Sequence, residues 1–381
     1  MVEWKNLGDV CEIKGRIGFR GYTRDDQVEK GEGAISLSPG NIFDSVLNYD
    51  SCTFITWDKY EESPEIMVNE GDIILCKTAS VGKVARVKNL PEKATINPQL
   101  VLIKNIKTNP QYLFYVLDDS PFQAKIKGLA GIGSVPNVSQ AKLSAILIPI
   151  PSLTEQTRIV GILDTFTASI DNLKQQIAER RKQYEYYRDQ LLDQKGKEAV
   201  EMKTLGDVGE ICMCKRIMKD QTSDKGEIPF FKIGTFGGKA DAYIARNLFE
   251  EYKNKFSYPK KGDILISAAG TIGRSVVFDG EDAYFQDSNI VWIANDETLV
   301  TNRYLYFFYQ IAAWKTDGGT IKRLYNYNLK NTEIPVPSLE EQSRIVSILD
   351  TFEASIANLE AQLKQREKQY EYYRNKLLTF E

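Results

Sequence analysis

The chain of 381 residues contains no histidine. That absence removes the residue on which Ser-His and Cys-His nucleophile systems depend. It also removes the usual nitrogen ligand of structural zinc. Cysteine is sparse: Cys11, Cys52, Cys76, Cys212 and Cys214. Only Cys212 and Cys214 stand close, as C-x-C, whereas a structural zinc site needs two such pairs. The thiols are therefore read as buried and free, and no metal site is expected. No run of eighteen apolar residues occurs, so no transmembrane helix is expected. Residues 1–13 alternate polar and apolar types without the apolar stretch of a signal peptide, and the chain is read as cytoplasmic.

Nucleotide motifs are missing as well. There is no G-x-x-x-x-G-K-[ST] loop, and no glycine fingerprint that follows a strand and opens a helix. Asn97-Pro98-Gln99-Leu100 shares its first two residues with the Asn-Pro-Pro-aromatic motif of amino-methyltransferases. It lacks the second proline and the aromatic that stacks on a flipped base. Asp72 and Asp263 sit in repeated Gly-Asp pairs at strand starts, where a turn role outweighs catalysis. A surplus of positive charge is the last absence: the formal net charge is −3. No segment is basic overall, so any contact with a polyanion must come from local clusters.

What is present is a duplication, the first thing to seek because it fixes architecture. Residues 148–192 and 334–378 are offset by 186, and 31 of the 45 positions are identical. Weaker echoes precede each copy. Residues 5–10 answer 203–208, and Gly71-Asp72-Ile73-Ile74-Leu75 answers Gly262-Asp263-Ile264-Leu265-Ile266. Each of the latter is followed by a small-residue turn ending at Gly82 or Gly273. One unit is thus written twice, a divergent globular part and then a nearly constant helix. The division is 1–147, 148–199, 200–333 and 334–381.

The constant parts open on Ser152-Leu153-Thr154-Glu155 and Ser338-Leu339-Glu340-Glu341, which fit the S-x-x-E capping box. Apolar residues then recur at 4-3 spacing. The first copy uses Ile159, Leu163, Phe166, Ile170, Leu173, Ile177, Tyr184, Tyr187 and Leu191. The second uses Ile345, Leu349, Phe352, Ile356, Leu359, Leu363, Tyr370, Tyr373 and Leu377. Arg180 and Arg366 interrupt the two series. This pattern predicts a left-handed coiled coil. A 40-residue helix is ~60 Å long, and the intervening globular part can return the chain for antiparallel pairing about a pseudo-twofold axis. The Tyr-Glu-Tyr-Tyr block places tyrosines on more than one face, which makes Tyr186 and Tyr372 candidates for docking another subunit.

The divergent parts read as mixed α/β. Strands are expected at Gly71–Leu75, Ala94–Ile103, Gly262–Ser267 and Ala283–Ile293. Short helices are expected at Pro110–Leu117 and Asn302–Ala313. Cations cluster with glycine and aromatics at matching places. The first part carries Lys14, Arg16, Arg20 and Arg24 on a glycine-spaced arm suited to a phosphate backbone or groove. The second carries Lys215, Arg216 and Lys219 at the corresponding point. Turns after the Gly-Asp strands add Lys77, Lys83 and Arg274. Late loops add Lys125 and Lys127, then Lys322 and Arg323 with Asn326 and Asn328. Such side chains can contact phosphates or read base edges.

The doubled I-P-[IV]-P-S-L-x-E-Q-x-R-I-V-x-I-L-D block, running into K-Q-Y-E-Y-Y-R-x-x-L-L, resembles the two conserved regions of type I restriction–modification specificity subunits. The Gly-Asp-Ile strand with its glycine turn resembles their target-recognition domains, and the likeness covers essentially the whole chain. It implies a non-catalytic DNA reader. Each domain would read one half of an asymmetric double-stranded target while the helices set the unread gap. Implied partners are two modification subunits, which use S-adenosylmethionine to methylate adenine N6, and two ATP- and Mg-dependent restriction subunits. No cofactor is expected in this chain. The rival reading is a scaffold whose two heads bind only proteins.

Overall fold

Ile73-Ile74-Leu75-Cys76 is apolar at every position, the mark of a strand covered on both faces. In the computed structural model, which describes residues 2–16, 21–131, 135–194, 196–197, 200–317 and 322–380, this segment is a central strand. Its sheet runs Glu12–Lys14, Leu100–Lys104, Ile73–Cys76, Val84–Arg86, all antiparallel. Ile73, Leu75, Val101 and Ile103 face one core, shared with the helix Pro110–Asp118 and with Ile159 and Leu163. Ile74, Cys76, Leu100 and Leu102 face a second core against Ile35, Leu37 and Ile96. Those three belong to another sheet, Ala94–Ile96, Gly33–Leu37, Thr53–Thr56, Gln27–Val28, whose first pair is parallel. The first head is therefore a layer of sheet, a layer of sheet and a layer of helix.

The second head repeats the plan. Its central sheet runs Gly209–Met213, Ile290–Asn295, Ile264–Ser267, Ser275–Val277, and its outer sheet runs Ala242–Ile244, Ile228–Phe231, Tyr284–Phe285. Ile264, Ile266, Val291 and Ile293 face the helical core, while Leu265, Ile290 and Trp292 face the outer sheet. Each head is closed by a two-stranded pairing, Glu3–Asn6 with Leu147–Ile150 and Glu201–Thr204 with Glu333–Val336.

The strands expected at Ala94–Ile103 and Ala283–Ile293 each prove to be two strands in two sheets. The chain crosses between sheets at Asn97–Gln99 and Gln286–Asn289. Asn97 Oδ1 accepts from Gln99 N at 3.0 Å, a local bond that competes with continued pairing. Ser288 is left-handed, with φ 51°. The expected helix at Asn302–Ala313 ends at Ile311. Lys125 and Lys127 lie in a helix, Ser120–Leu129, and Asn326 and Asn328 in another, Asn326–Lys330; neither pair is on a loop. The repeated turns do need glycine. Gly82 and Gly273 have φ of 101° and 81°, and a Cβ there would lie 2.3 Å from Gln123 Oε1 and 2.1 Å from Trp314 Nε1.

The constant segments form helices of 40 residues each, Leu153–Leu192 and Leu339–Leu378. Half of the expected capping box is present. Ser152 Oγ accepts from Glu155 N at 3.3 Å, and Ser338 Oγ from Glu341 N at 3.2 Å. The glutamates turn outward instead, each held by both ends of an arginine fork, Arg158 and Arg344.

The chain divides into two units, residues 1–174 with 362–381, and residues 175–361. The helices pair antiparallel within each unit. In the first, Phe166 meets Tyr370 and Tyr373, and Leu378 joins Ile159 and Leu163 in the core. In the second, Phe352 meets Tyr184 and Tyr187, and Leu192 joins Ile345 and Leu349. Tyr187 and Tyr373, expected inside the seam, stack on its rim and stay exposed.

One buried side chain per unit joins head to helix. Gln156 Oε1 accepts from Thr108 Oγ1 and Asn109 N, while its Nε2 donates to Pro151 O. Gln342, at the equivalent place, accepts from Thr301 N at 2.9 Å and donates to Leu299 O and Pro337 O. The two residues are 1% and 0% exposed. Replacing Gln342 by alanine strands several buried backbone groups, and the expected cost is about 2–3 kcal/mol. Urea titration should show a lower midpoint with unchanged slope. A loss under about 0.5 kcal/mol would deny this carboxamide its role.

Candidate nucleic-acid interface

The first-head arm is only partly a surface feature. Lys14 ends its strand and pairs with Glu12 at 3.1 Å. Arg16, expected on the surface, is 4% exposed. It donates to Ile96 O and Thr95 Oγ1, both at 3.2 Å, and lies over the Tyr22 ring. Burial lowers its pKa, but the guanidinium is committed to the interior and is not available to a phosphate. Arg20 lies outside the described residues. Arg24 is exposed on the turn that ends with Gln27 N donating to its carbonyl. Lys77 is half-buried where its backbone bonds Gln99 and Val138. Lys83 donates to Pro39 O and Ile42 O and covers the Phe43 ring, so it braces a neighbouring loop.

The second head collects its cations better. A cleft of about 660 Å³ is lined by cations from three separate segments, Arg216 with Lys219, Lys232, and Arg323, together with Gln286, Asp287 and Asn289. Arg216 Nε donates to Asp287 Oδ2 at 2.8 Å. Arg323 Nη2 donates to Ser288 O, Ser288 Oγ and Asn289 Oδ1 at 3.0, 2.9 and 2.9 Å. Lys219 is exposed on a 3-10 turn. Lys215 lies over the Phe256 ring, and Arg274 and Lys322 are exposed; none of these three lines the cleft. Gln286, Asp287 and Asn289 escaped sequence reasoning. Their signal is the polar break they make inside an apolar run.

Sheet register shows why the two arms differ. Ile74 pairs with Leu102, and its repeat equivalent Leu265 pairs with Trp292. Counting outward along the flanking strands, where Lys14 pairs Leu102 and Cys212 pairs Trp292, sets Arg16 against Cys214. Both are buried. Cys212 and Cys214 pack on the same core, the period-2 placement of strand residues, which accounts for the C-x-C spacing. Burial pushes the Cys11 and Cys214 thiols up to about 12. Neither offers a thiolate near neutral pH. Among the described residues no group of three or more His, Cys, Asp or Glu is placed to hold a metal ion.

Asp72 and Asp263 serve turns, accepting from Asn69 N at 2.9 Å and Lys260 N at 2.7 Å. Burial raises the pKa of both. Tyr186 and Tyr372 stand out from the long helices at 62% and 59% exposure, each edge-on to the tyrosine that follows it.

A duplicated α/β frame, each copy carrying one head and one long helix, with a polar, cation-bearing cleft on the second head, defines a two-headed binding protein. The family model for the type I restriction modification DNA specificity domain matches residues 1–180 and again 197–368, and the chain belongs to this family. A putative type I restriction enzyme specificity subunit of Haemophilus influenzae is 55% identical over 287 residues, covering 72% of this chain and 73% of that protein. The EcoR124I/EcoR124II specificity subunit of Escherichia coli is 33% identical over 303 residues, covering 72% of each. A chain from a type I system solved for complex assembly and conformational transition shares the fold at TM-score 0.62, with 18% identity over 99% of this chain and 97% of that one. The S subunit from M. genitalium gives 0.58 and 14%, over 100% and 97%. The chain is accordingly a non-catalytic specificity subunit whose work is DNA-target recognition. Among the described residues no helix is long and apolar enough to cross a membrane.

Burial separates the arginines energetically. Arg16→Ala leaves buried acceptors unpaired and should cost about 2–4 kcal/mol. Arg216→Ala removes an exposed ion pair and should cost under about 0.5 kcal/mol. Denaturant unfolding of the full chain measures both, and equal costs would contradict this assignment.

Proposed function

We propose that each head reads one half of an asymmetric bipartite duplex target, and that the long helices fix the unread gap and dock two methyltransferase subunits. One observation carries this reading: a single backbone frame occurs twice with different polar side chains on corresponding loops. A reader of two unlike half-sites needs that combination. Near-neutral charge fits a subunit that binds weakly alone and gains phosphate contacts on assembly. The candidates for DNA contact are Lys14, Arg24 and Lys77 in the first head, and Lys215, Arg216, Lys219, Arg274 and Lys322 in the second. Arg16, Lys83 and Arg323 act as braces. S-adenosylmethionine, ATP and Mg belong to the partner subunits, and two restriction subunits complete the assembly.

Methylome sequencing of the source cells, with and without this gene, tests the core of the proposal. The expected result is a two-part adenine-methylation motif that vanishes on deletion. An unchanged methylome would favour the protein-only scaffold. Lys219→Ala should weaken binding of the assembled methyltransferase to all duplexes alike and lower the slope of log K against log salt by about 1. A change confined to one sequence would make Lys219 a base reader instead. Replacing Tyr186 and Tyr372 together by alanine should reduce co-purification of the methyltransferase subunit while leaving the melting temperature unchanged. Full retention of that subunit would remove the docking role.

A further inference from the structure

The two heads can be superposed by hydrogen bonds alone. In the first, Lys77 N donates to Gln99 O at 2.9 Å and Val138 N to Lys77 O at 2.9 Å. In the second, Ala268 N donates to Asn289 O at 2.7 Å and Leu324 N to Ala268 O at 2.9 Å. These bonds set Asn97, Gln99 and Asn137 of one head against Asp287, Asn289 and Arg323 of the other. The backbone is shared and the side chains differ. Divergence on a fixed frame is what discrimination between two half-sites requires.

On the second rim Arg216 and Arg323 have different tasks. Arg323 is spent on the crossing loop, where its three bonds hold Ser288 in a left-handed conformation. Arg216 has a side chain 66% exposed, while that of its partner Asp287 is 18% exposed. The Asp287 carboxylate grips the guanidinium at Nε and fixes its plane. The planar fork can present two donors to the paired acceptors O6 and N7 of guanine. A phosphate is the poorer ligand for this guanidinium. Asp287 already pairs with Arg216 and would repel an anion bound beside it, whereas Lys219, Lys232 and Arg323 leave the cleft as a whole slightly cationic against Asp224, Asp241 and Asp287. A base edge carries no net charge, and a carboxylate behind the arginine sharpens its orientation at little electrostatic cost.

We propose that Arg216, held by Asp287, reads a guanine in the half-site of the second head. The inference rests on the reading of the chain as a two-headed DNA specificity subunit. It commits that head to a G·C pair at one position. Substituting Arg216 should relax that position and leave the other half-site untouched.

The test is the methylome of cells whose own gene carries Arg216→Ala, Arg216→Lys or Asp287→Asn. In Arg216→Ala one G·C position of one half-site should become degenerate, with discrimination falling roughly ten- to hundred-fold. Arg216→Lys keeps the charge and loses the fork, so it should relax the same position. The intact motif of the other half-site reports that the variants fold and assemble. A direct check uses the assembled methyltransferase and duplexes in which 7-deazaguanine, lacking the N7 acceptor, replaces that guanine. The wild type should lose affinity several-fold, and Arg216→Ala should be indifferent. Unchanged stringency at every guanine in Arg216→Ala would overturn the proposal while leaving the two-headed reading intact. So would equal weakening of both half-sites. Absence of any gene-dependent two-part motif in the wild type would instead overturn the reading beneath it.

Discussion

Everything in this molecule depends on how a head is fastened to a helix. Gln156 and Gln342 occupy the same step of the repeat, both fully buried, and each carboxamide satisfies the chain where head and helix meet. A carboxamide has one accepting and one donating end, so it can bind an amide hydrogen on one side and a carbonyl on the other. No apolar residue could do this, and a buried charge would carry a desolvation penalty. The orientation of each head therefore rests on a neutral side chain locked at both ends.

Around that hub the two units use unlike chemistry. In the first, Gln111 Nε2 and the Tyr115 hydroxyl both donate to Asp164, and Arg374 lies 3.4 Å from Asp119. In the second, Arg303 reaches Asp350 and Glu353, and the Tyr184 hydroxyl donates to Gln310. The residue that is glutamine in one head is arginine in the other, and the helix answers with Thr167 in the first copy and Glu353 in the second. Each helix segment has been adjusted to its own head, although the two copies are mostly identical.

The repeat, the long helices, the Gly-Asp strands and the paired glycine turns were legible because each imposes a sequence period or a backbone conformation. Gln156 and Gln342 were legible in principle, as polar residues retained in both copies beside an apolar seam. The surface sites were harder. Arg16 carries the same charge as Arg24 in sequence, and only the inward path of the chain after its strand shows that one is buried. The breaks at Asn97–Gln99 and Gln286–Asn289 were hidden because apolar residues flank both, and periodicity cannot say whether one strand or two lies beneath. The cleft beside Asp287 unites segments some 34 to 71 residues from that loop, so its members share no local signal.

The place of Leu378 in the core of the first unit has a consequence for synthesis. That unit is built from residues 1–174 and 362–381, so residues 175–361 are synthesised between its two parts. At ordinary elongation rates its helical seam waits on the order of ten to forty seconds for its closing segment. During that interval Ile159 and Leu163 lack only the contact supplied by the returning helix at Leu378, and a near-identical segment from another nascent chain could take that place. A polysome translating this message thus faces a choice between patience and mispairing, and a truncated product would leave unfinished the very head that was made first.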